Sequence, residues 1–300
     1  MTSRRRFLTI SAAALALPTM ARATGVYTWT GIALGARATI RLAHPEAEAI
    51  TTRAAAEIAR LEGIFSLFQT QSAVSQLNAT ATLANPPFEL LECLSLAGAV
   101  NHATGGLFDP TVQPLWATYA EAAGARPSKA ALAQALAVTG WQGVTLDPAA
   151  ITLRKGMALT LNGIAQGYIA DRIAVMLAAE GLDNILVDTG ELRALGGQPG
   201  GGAWPVQLAL GGSVALAQRS LATSAPLGTS FDEKGQVGHI LDPRTGLPAA
   251  AKWQSISVSA GSAALADALS TAACLTSGPE EIADFLAHFP DARLEAAVGV

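Results

Sequence analysis

Two cysteines among 300 residues, Cys93 and Cys274, supply neither a CxxC metal spacing nor a framework of disulfides. One bridge between them and two buried thiols both fit the count; their apolar, helix-like surroundings favour the thiols, used as small hydrophobes. Charge is also scarce. Only 14% of residues are Asp, Glu, Lys or Arg, with a net charge of -4, which excludes the basic surface that phosphate-backbone contacts need and makes nucleic acid an unsuitable partner. Aromatics make up 5% and do not interleave with basic residues. The glycine-rich stretch GGQPGGGAW (196–204) lacks the Gly-Lys-Ser/Thr ending of a phosphate-binding loop and reads as a hairpin loop. There is no Ser/Pro-rich linker, charge run or repeat, so one globular unit is expected rather than two. No segment after the leader is long and apolar enough to span a membrane.

The leader itself is informative. Arg4 and Arg5 stand in a Ser-Arg-Arg-x-Phe-Leu pattern, an apolar stretch runs from Phe7 to Leu17, and Ala21-Arg22-Ala23 is a small-x-small cleavage site. Residues 1–23 therefore read as a twin-arginine signal peptide, and 24–300 as a mature chain destined for the periplasm. The apolar stretch falls short of the ~20 residues a bilayer core requires and is followed by Pro18.

What is abundant is apolar surface, at 50% of residues. YTWTGIALGARATIRLAH alternates as one or two strands around Gly31 and Gly35. Helical spacing runs from Glu46 to Phe68, giving way to polar residues near FSLFQTQSAVSQLN, and again from Phe88 to Thr104, Lys129 to Val138 and Ile164 to Glu180. GVTLD and AITLR form a strand pair; MALTL, NILVDTG, VQLAL, SLATS, HILDP and SISVSA are further strands; helices follow at Ala263–Thr276 and Glu280–Phe289. Strands and helices mix without strict alternation, which predicts an α+β fold with largely antiparallel sheets.

Three stretches carry polar chemistry. In ALADALSTAACL, Asp267 and Thr271 lie four residues apart, on one face of a helix otherwise built from small and apolar residues. A buried carboxylate requires a partner, and a carboxylate with a hydroxyl suits Mg²⁺; an exposed Asp beside a Thr bonded to its own helix carbonyl is the plainer alternative. LTLNGIAQGYIADRIA places Gly163 and Gly167 at the entry to a helix whose free amides either bind phosphate or form an ordinary turn. HILDPRTGLP sets His239, Asp242 and Arg244 around a turn; FDPTVQPLW repeats the Asp-Pro turn, where an Asx turn accounts for Asp109.

In this order, FSLFQTQSAVSQLN, FDPTVQPL, LNGIAQGYIADRIA, LVDTGELRALGG, LATS, HILDPRTGLP and ADALSTA resemble the ApbE family of FAD:protein FMN transferases over nearly the whole mature chain. The resemblance implies Mg²⁺-dependent transfer of FMN from FAD to a Thr or Ser hydroxyl of a target protein, with AMP released. It implies that Asp267, Thr271 and the Gly163 carbonyl bind the metal. Leu34, Phe68, Leu107, Phe108, Asp109, Thr160, Gln166 and Ile240 fall at FAD-contacting positions, and His239 is the candidate general base. The leader and the divergent motifs resemble the NosX-type branch tied to nitrous oxide reductase maturation, for which a NosR-like exported flavoprotein is the implied acceptor. This chain departs from the family pattern at several places. Leu34 stands for Met, Phe68 for Tyr, Thr160 for Asp and Gln166 for Lys; Thr223-Ser224-Ala225 stands for Thr-Ser-Gly, with Leu227 near a Tyr position. The losses at Thr160 and Gln166 leave two other activities open, a non-catalytic flavin-binding assembly factor and an FAD pyrophosphatase.

Overall fold

The computed structural model describes residues 25–300, so the expected signal peptide at 1–23 lies outside the described residues. Tyr27–Ala33 (β1) and Ala36–Leu42 (β2) pair antiparallel through Leu34-Gly35, whose φ angles of +47° and +82° give the turn that matches hairpin twist. Ala47–Phe65 (α1) buries Ile50, Ala54, Ile58, Leu61 and Phe65 at steps of three and four, one face of a helix. The polar stretch after it, expected to end the helix, starts another: the Ser72 hydroxyl accepts the Ser75 amide and caps Ala73–Thr80 (α2).

Thr82–Ala84 (β3), Phe88–Ala103 (α3), Gln113–Glu121 (α4), Lys129–Ala137 (α5), Val144–Asp147 (β4) and Ala150–Leu153 (β5) come next. Strands β3, β5 and β4 form a small antiparallel sheet. Helix α4 is hidden in FDPTVQPLW because Pro114 sits in its first turn, where the missing N–H is not needed.

Ala165–Ala179 (α6), Ile185–Asp188 (β6), Leu192–Leu195 (β7), Trp204–Gln207 (β8), Ser213–Leu216 (β9), Ser220–Ser224 (β10), Trp253–Ala260 (β11), Ala263–Ala273 (α7), Pro279–Leu286 (α8) and Arg293–Gly299 (β12) complete the chain. Two expected strands are absent. MALTL is held instead by the Asn78 side chain, which bonds the Leu159 amide and carbonyl at 2.7 and 2.8 Å, and by a Thr160 amide bond to the Pro110 carbonyl. HILDP forms only an isolated bridge, Leu241 to Pro248, across a turn. VQLAL is a strand only as far as Gln207.

Seven strands make one antiparallel sheet in the order β1-β2-β6-β7-β10-β11-β12, confirming the α+β class. The period-two alternation of β6 divides the interior. Ile185 and Val187 face the main core, covered by α1, α6 and α7, whereas Leu186 joins Leu192, Leu221, Trp204 and Leu216 under the β8–β9 hairpin on the opposite face. Both cysteines are buried free thiols.

Candidate functional site

Helix α7 is buried nearly all round, and Asp267 is the one ionisable residue on it. Two contacts fix its position against α6. Gly167 lies so close that a Cβ there would stand 2.3 Å from the Ala263 carbonyl oxygen, so only glycine fits this crossing. One helical turn on, Asp171 accepts the Ser262 hydroxyl at 2.7 Å and the Ala263 and Ala264 amides at 2.9 and 3.0 Å, capping α7 from a neighbouring helix. Arg193 stands 3.6 Å from the same carboxylate.

With α7 so held, Asp267 is 4% exposed, which rules out the solvated aspartate of the plainer reading. The Gly167 amide, in the first turn of α6, donates to its carboxylate, but among the described residues its Oδ2 has no hydrogen-bond partner. Burial pushes this carboxyl up to about 8. Glu191, in the turn between β6 and β7, is pushed up as well, by burial and by the negative charges of Asp267 and Asp188, against a bond from the Thr223 amide. Among the described residues, no ion pair neutralises either carboxylate.

Thr271 does not bond its own helix carbonyl. That role falls to Ser270, whose hydroxyl donates to the Asp267 carbonyl at 3.0 Å. Thr271 Oγ1 instead lies 3.3 Å from Ser224 Oγ at the end of β10. A Cβ at Gly163 would sit 3.0 Å from Thr271 Oγ1 and 3.4 Å from the Phe108 ring, so the three meet at one point. Thr271 Oγ1 thus meets the Gly163 turn, and one helical turn before it on α7 Asp267 carries an unsatisfied buried carboxylate oxygen; carboxylate, hydroxyl and main-chain carbonyl are a hard-oxygen donor set that fits Mg²⁺.

Asp109 has both oxygens engaged, Oδ1 by the Thr111 amide and hydroxyl at 2.8 and 2.7 Å and Oδ2 by the Trp141 amide at 3.0 Å, so it shapes the turn carrying buried Leu107 and Phe108. Thr160 Oγ1 accepts the Asn162 amide. The Gln166 side chain lies against Gly190, and the Gln166 main-chain carbonyl accepts the Thr189 hydroxyl at 2.7 Å, joining the start of α6 to the β6–β7 turn. Leu34 packs partly on the main core with its amide on Glu62, and Phe68 is 76% exposed on the α1–α2 connection.

His239 is held by the Pro226–Thr229 loop. Its Nδ1 lies 3.0 Å from the Thr229 carbonyl, which makes Nδ1 the donor and leaves Nε2 the basic nitrogen of the neutral ring. Burial pushes its pKa below the ordinary value, although the Thr229 and Pro226 carbonyls favour the cation. Gly238 permits this packing, since a Cβ there would stand 2.2 Å from the Pro226 carbonyl oxygen. Ile240 enters the main core. The remaining polar groups of the turn are structural: Asp242 caps the Arg244 amide and pairs with its guanidinium at 2.9 Å, and Tyr119 donates to the Gly246 carbonyl at 3.1 Å. Among the described residues, no hydrogen bond joins His239 to Asp267 or Thr271.

In the sequence Glu191, Ser270 and Asp171 do not stand out, and Ser224 does so only within the Thr223-Ser224-Ala225 motif, without a role of its own. Only Asp171 left a usable trace, as an acid one turn after Gly167, the glycine at the helix crossing.

The ApbE family model matches residues 34–297. A Treponema pallidum FAD:protein FMN transferase is 32% identical over 304 residues, covering 83% of this chain and 82% of that protein. One from Klebsiella pneumoniae is 28% identical over 251 residues, covering 78% of this chain and 77% of its own length. Among solved structures, the Pseudomonas stutzeri flavinyl transferase ApbE in its apo form superimposes with a TM-score of 0.80 at 26% identity, over 92% of this chain and 94% of that one. The Thermotoga maritima ApbE protein gives 0.81 at 26% identity, over 92% and 96%.

Proposed function

Because the chain belongs to the ApbE family, we propose that it transfers FMN from FAD to a Thr or Ser hydroxyl of an acceptor protein, releasing AMP, in a Mg²⁺-dependent reaction. The observation that carries the reading is the buried Asp267 Oδ2 left without a partner, one helical turn before the Thr271 hydroxyl that meets the Gly163 turn. Asp267, Thr271 and the Gly163 carbonyl would hold the cation, which when bound neutralises charge developing on the pyrophosphate.

The chain's own groups account for the rest. The acceptor oxygen forms a bond to the flavin-side phosphorus of FAD as the bond from that phosphorus to the AMP oxygen breaks. The hydroxyl proton passes to His239 Nε2, which burial keeps neutral and therefore able to accept it near pH 7. Leu34, Phe68, Leu107, Phe108, Asp109, Thr160, Gln166 and Ile240 form the surroundings proposed for FAD. Phe68 is the aromatic residue proposed to stack on the isoalloxazine. Thr160 and Gln166 give hydrogen bonds where the family pattern has charges, so weaker FAD binding is expected.

The twin-arginine pattern of residues 3–8 supports export to the periplasm, and with it an exported acceptor, of which a NosR-like flavoprotein is the family-level choice. The test is incubation with FAD, Mg²⁺ and an acceptor domain, with AMP release and in-gel flavin fluorescence as readouts. A fluorescent acceptor band that Asp267→Ala abolishes supports the transferase; free FMN with AMP and no band would make the protein a pyrophosphatase. Flavin binding without turnover would make it an assembly factor.

A further inference from the structure

Three hydroxyls beside Asp267 have only one consistent arrangement of protons. Ser270 donates its single proton to the Asp267 carbonyl at 3.0 Å. The 2.6 Å contact between Ser224 Oγ and Ser270 Oγ then needs Ser224 as donor. With that proton committed, the 3.3 Å contact between Ser224 and Thr271 needs Thr271 as donor. The chain runs Thr271 to Ser224 to Ser270 to the Asp267 carbonyl, and it leaves both lone pairs of Thr271 Oγ1 without an intramolecular donor. A threonine ligates a cation through those lone pairs, so its proton must point elsewhere.

We propose that Ser224 is a positioning residue for the cation site: it takes the Thr271 proton and thereby turns the Thr271 oxygen lone pairs toward the ion. The inference rests on the cation reading of Asp267, Thr271 and Gly163. Without Ser224, the nearest acceptor for the Thr271 proton is its own helix carbonyl four residues back, the position at which threonines in helices commonly bond. That rotation turns the lone pairs away from Asp267 Oδ2. Groups that orient a metal ligand in this way typically change affinity by about 10- to 100-fold when removed.

The experiment measures Mn²⁺ binding to the intact protein, without FAD or acceptor, by loss of the free-ion electron paramagnetic resonance signal. Wild type is expected to bind the ion, and Asp267→Asn to lose it. Ser224→Ala should raise the Mn²⁺ Kd about 10- to 100-fold, and Ser224→Thr, which keeps the hydroxyl, should restore it. Ser257→Ala is the packing control, since it removes a half-buried 2.8 Å hydroxyl pair with Thr223 in the same region of the sheet. It should leave the Kd at the wild-type value. Should Ser224→Ala fold poorly, Ser224→Cys keeps the volume with a much weaker acceptor and is expected to weaken binding as well. Wild-type affinity in a folded Ser224→Ala or Ser224→Cys protein, with Asp267→Asn deficient, overturns the role of Ser224 alone. Equal weakening by Ser257→Ala also overturns it, as a packing effect. Absence of Mn²⁺ binding in wild type, or its survival in Asp267→Asn, overturns the cation reading and this inference together.

Discussion

His239 shows how one histidine is set apart from the other three. Its ring has a depressed pKa because burial disfavours the imidazolium more than the two carbonyls favour it. If it is the base, the acid limb of kcat/KM should fall below pH 6.5, and His239→Asn should remove that limb along with most of the rate. The same shift acts on stability. The unfolded chain binds more protons between the depressed value and 6.5, so stability falls as pH drops through that window; urea titrations across it should show the loss in wild type and not in His239→Asn. At this scale the sequence was legible where spacing imposes geometry. Asp267 and Thr271 lie four apart on a helix and do share a face. Asp109 was read equally well as an Asx cap. Glu191 and Ser224 were not legible, because their roles depend on strand ends that meet α7 only in the folded chain.

Elements matter here through one crossing. Gly167 and Asp171, one turn apart on α6, bring α7 against it and cap its first turn. Gly167→Ala would force the helices apart, and the expected cost is about 1–3 kcal/mol by overpacking, with loss of Mn²⁺ binding; denaturant unfolding and ion titration measure the two effects. Asp171→Ala should cost roughly 1–2 kcal/mol as a lost cap, and weaken the ion less than Asp267→Asn does. SLATS, SISVSA and the long helices were legible because an apolar period of two or of three to four survives in the sequence. The MALTL and HILDP stretches have the composition of strands. What they lack is a neighbouring strand: Asn78 takes the backbone of the one and a hydrogen-bonded turn that of the other. Helix α4 escaped notice because FDPTVQPLW was read as an Asp-Pro turn, although Pro114 lies in the first turn of a helix.

The whole molecule joins a seven-stranded sheet, three covering helices and a hairpin on the far face without any covalent staple. Cys93 and Cys274 are buried apart as thiols, each with its pKa raised by burial, so thermal unfolding should have the same midpoint with and without reductant. Mg²⁺ at 100 times its Kd should raise stability by about 2.7 kcal/mol. For a chain of this size that is a shift on the order of 5 °C, which differential scanning calorimetry would detect and Asp267→Asn would abolish. The glycine contact between α6 and α7 also has a thermodynamic consequence. Ligands fixed on α7 and on the turn that leads into α6, two helices already touching through backbone, have no apolar surface left to bring together when the ion arrives. Calorimetry at several temperatures should therefore find a binding enthalpy that hardly varies, with a heat-capacity change near zero.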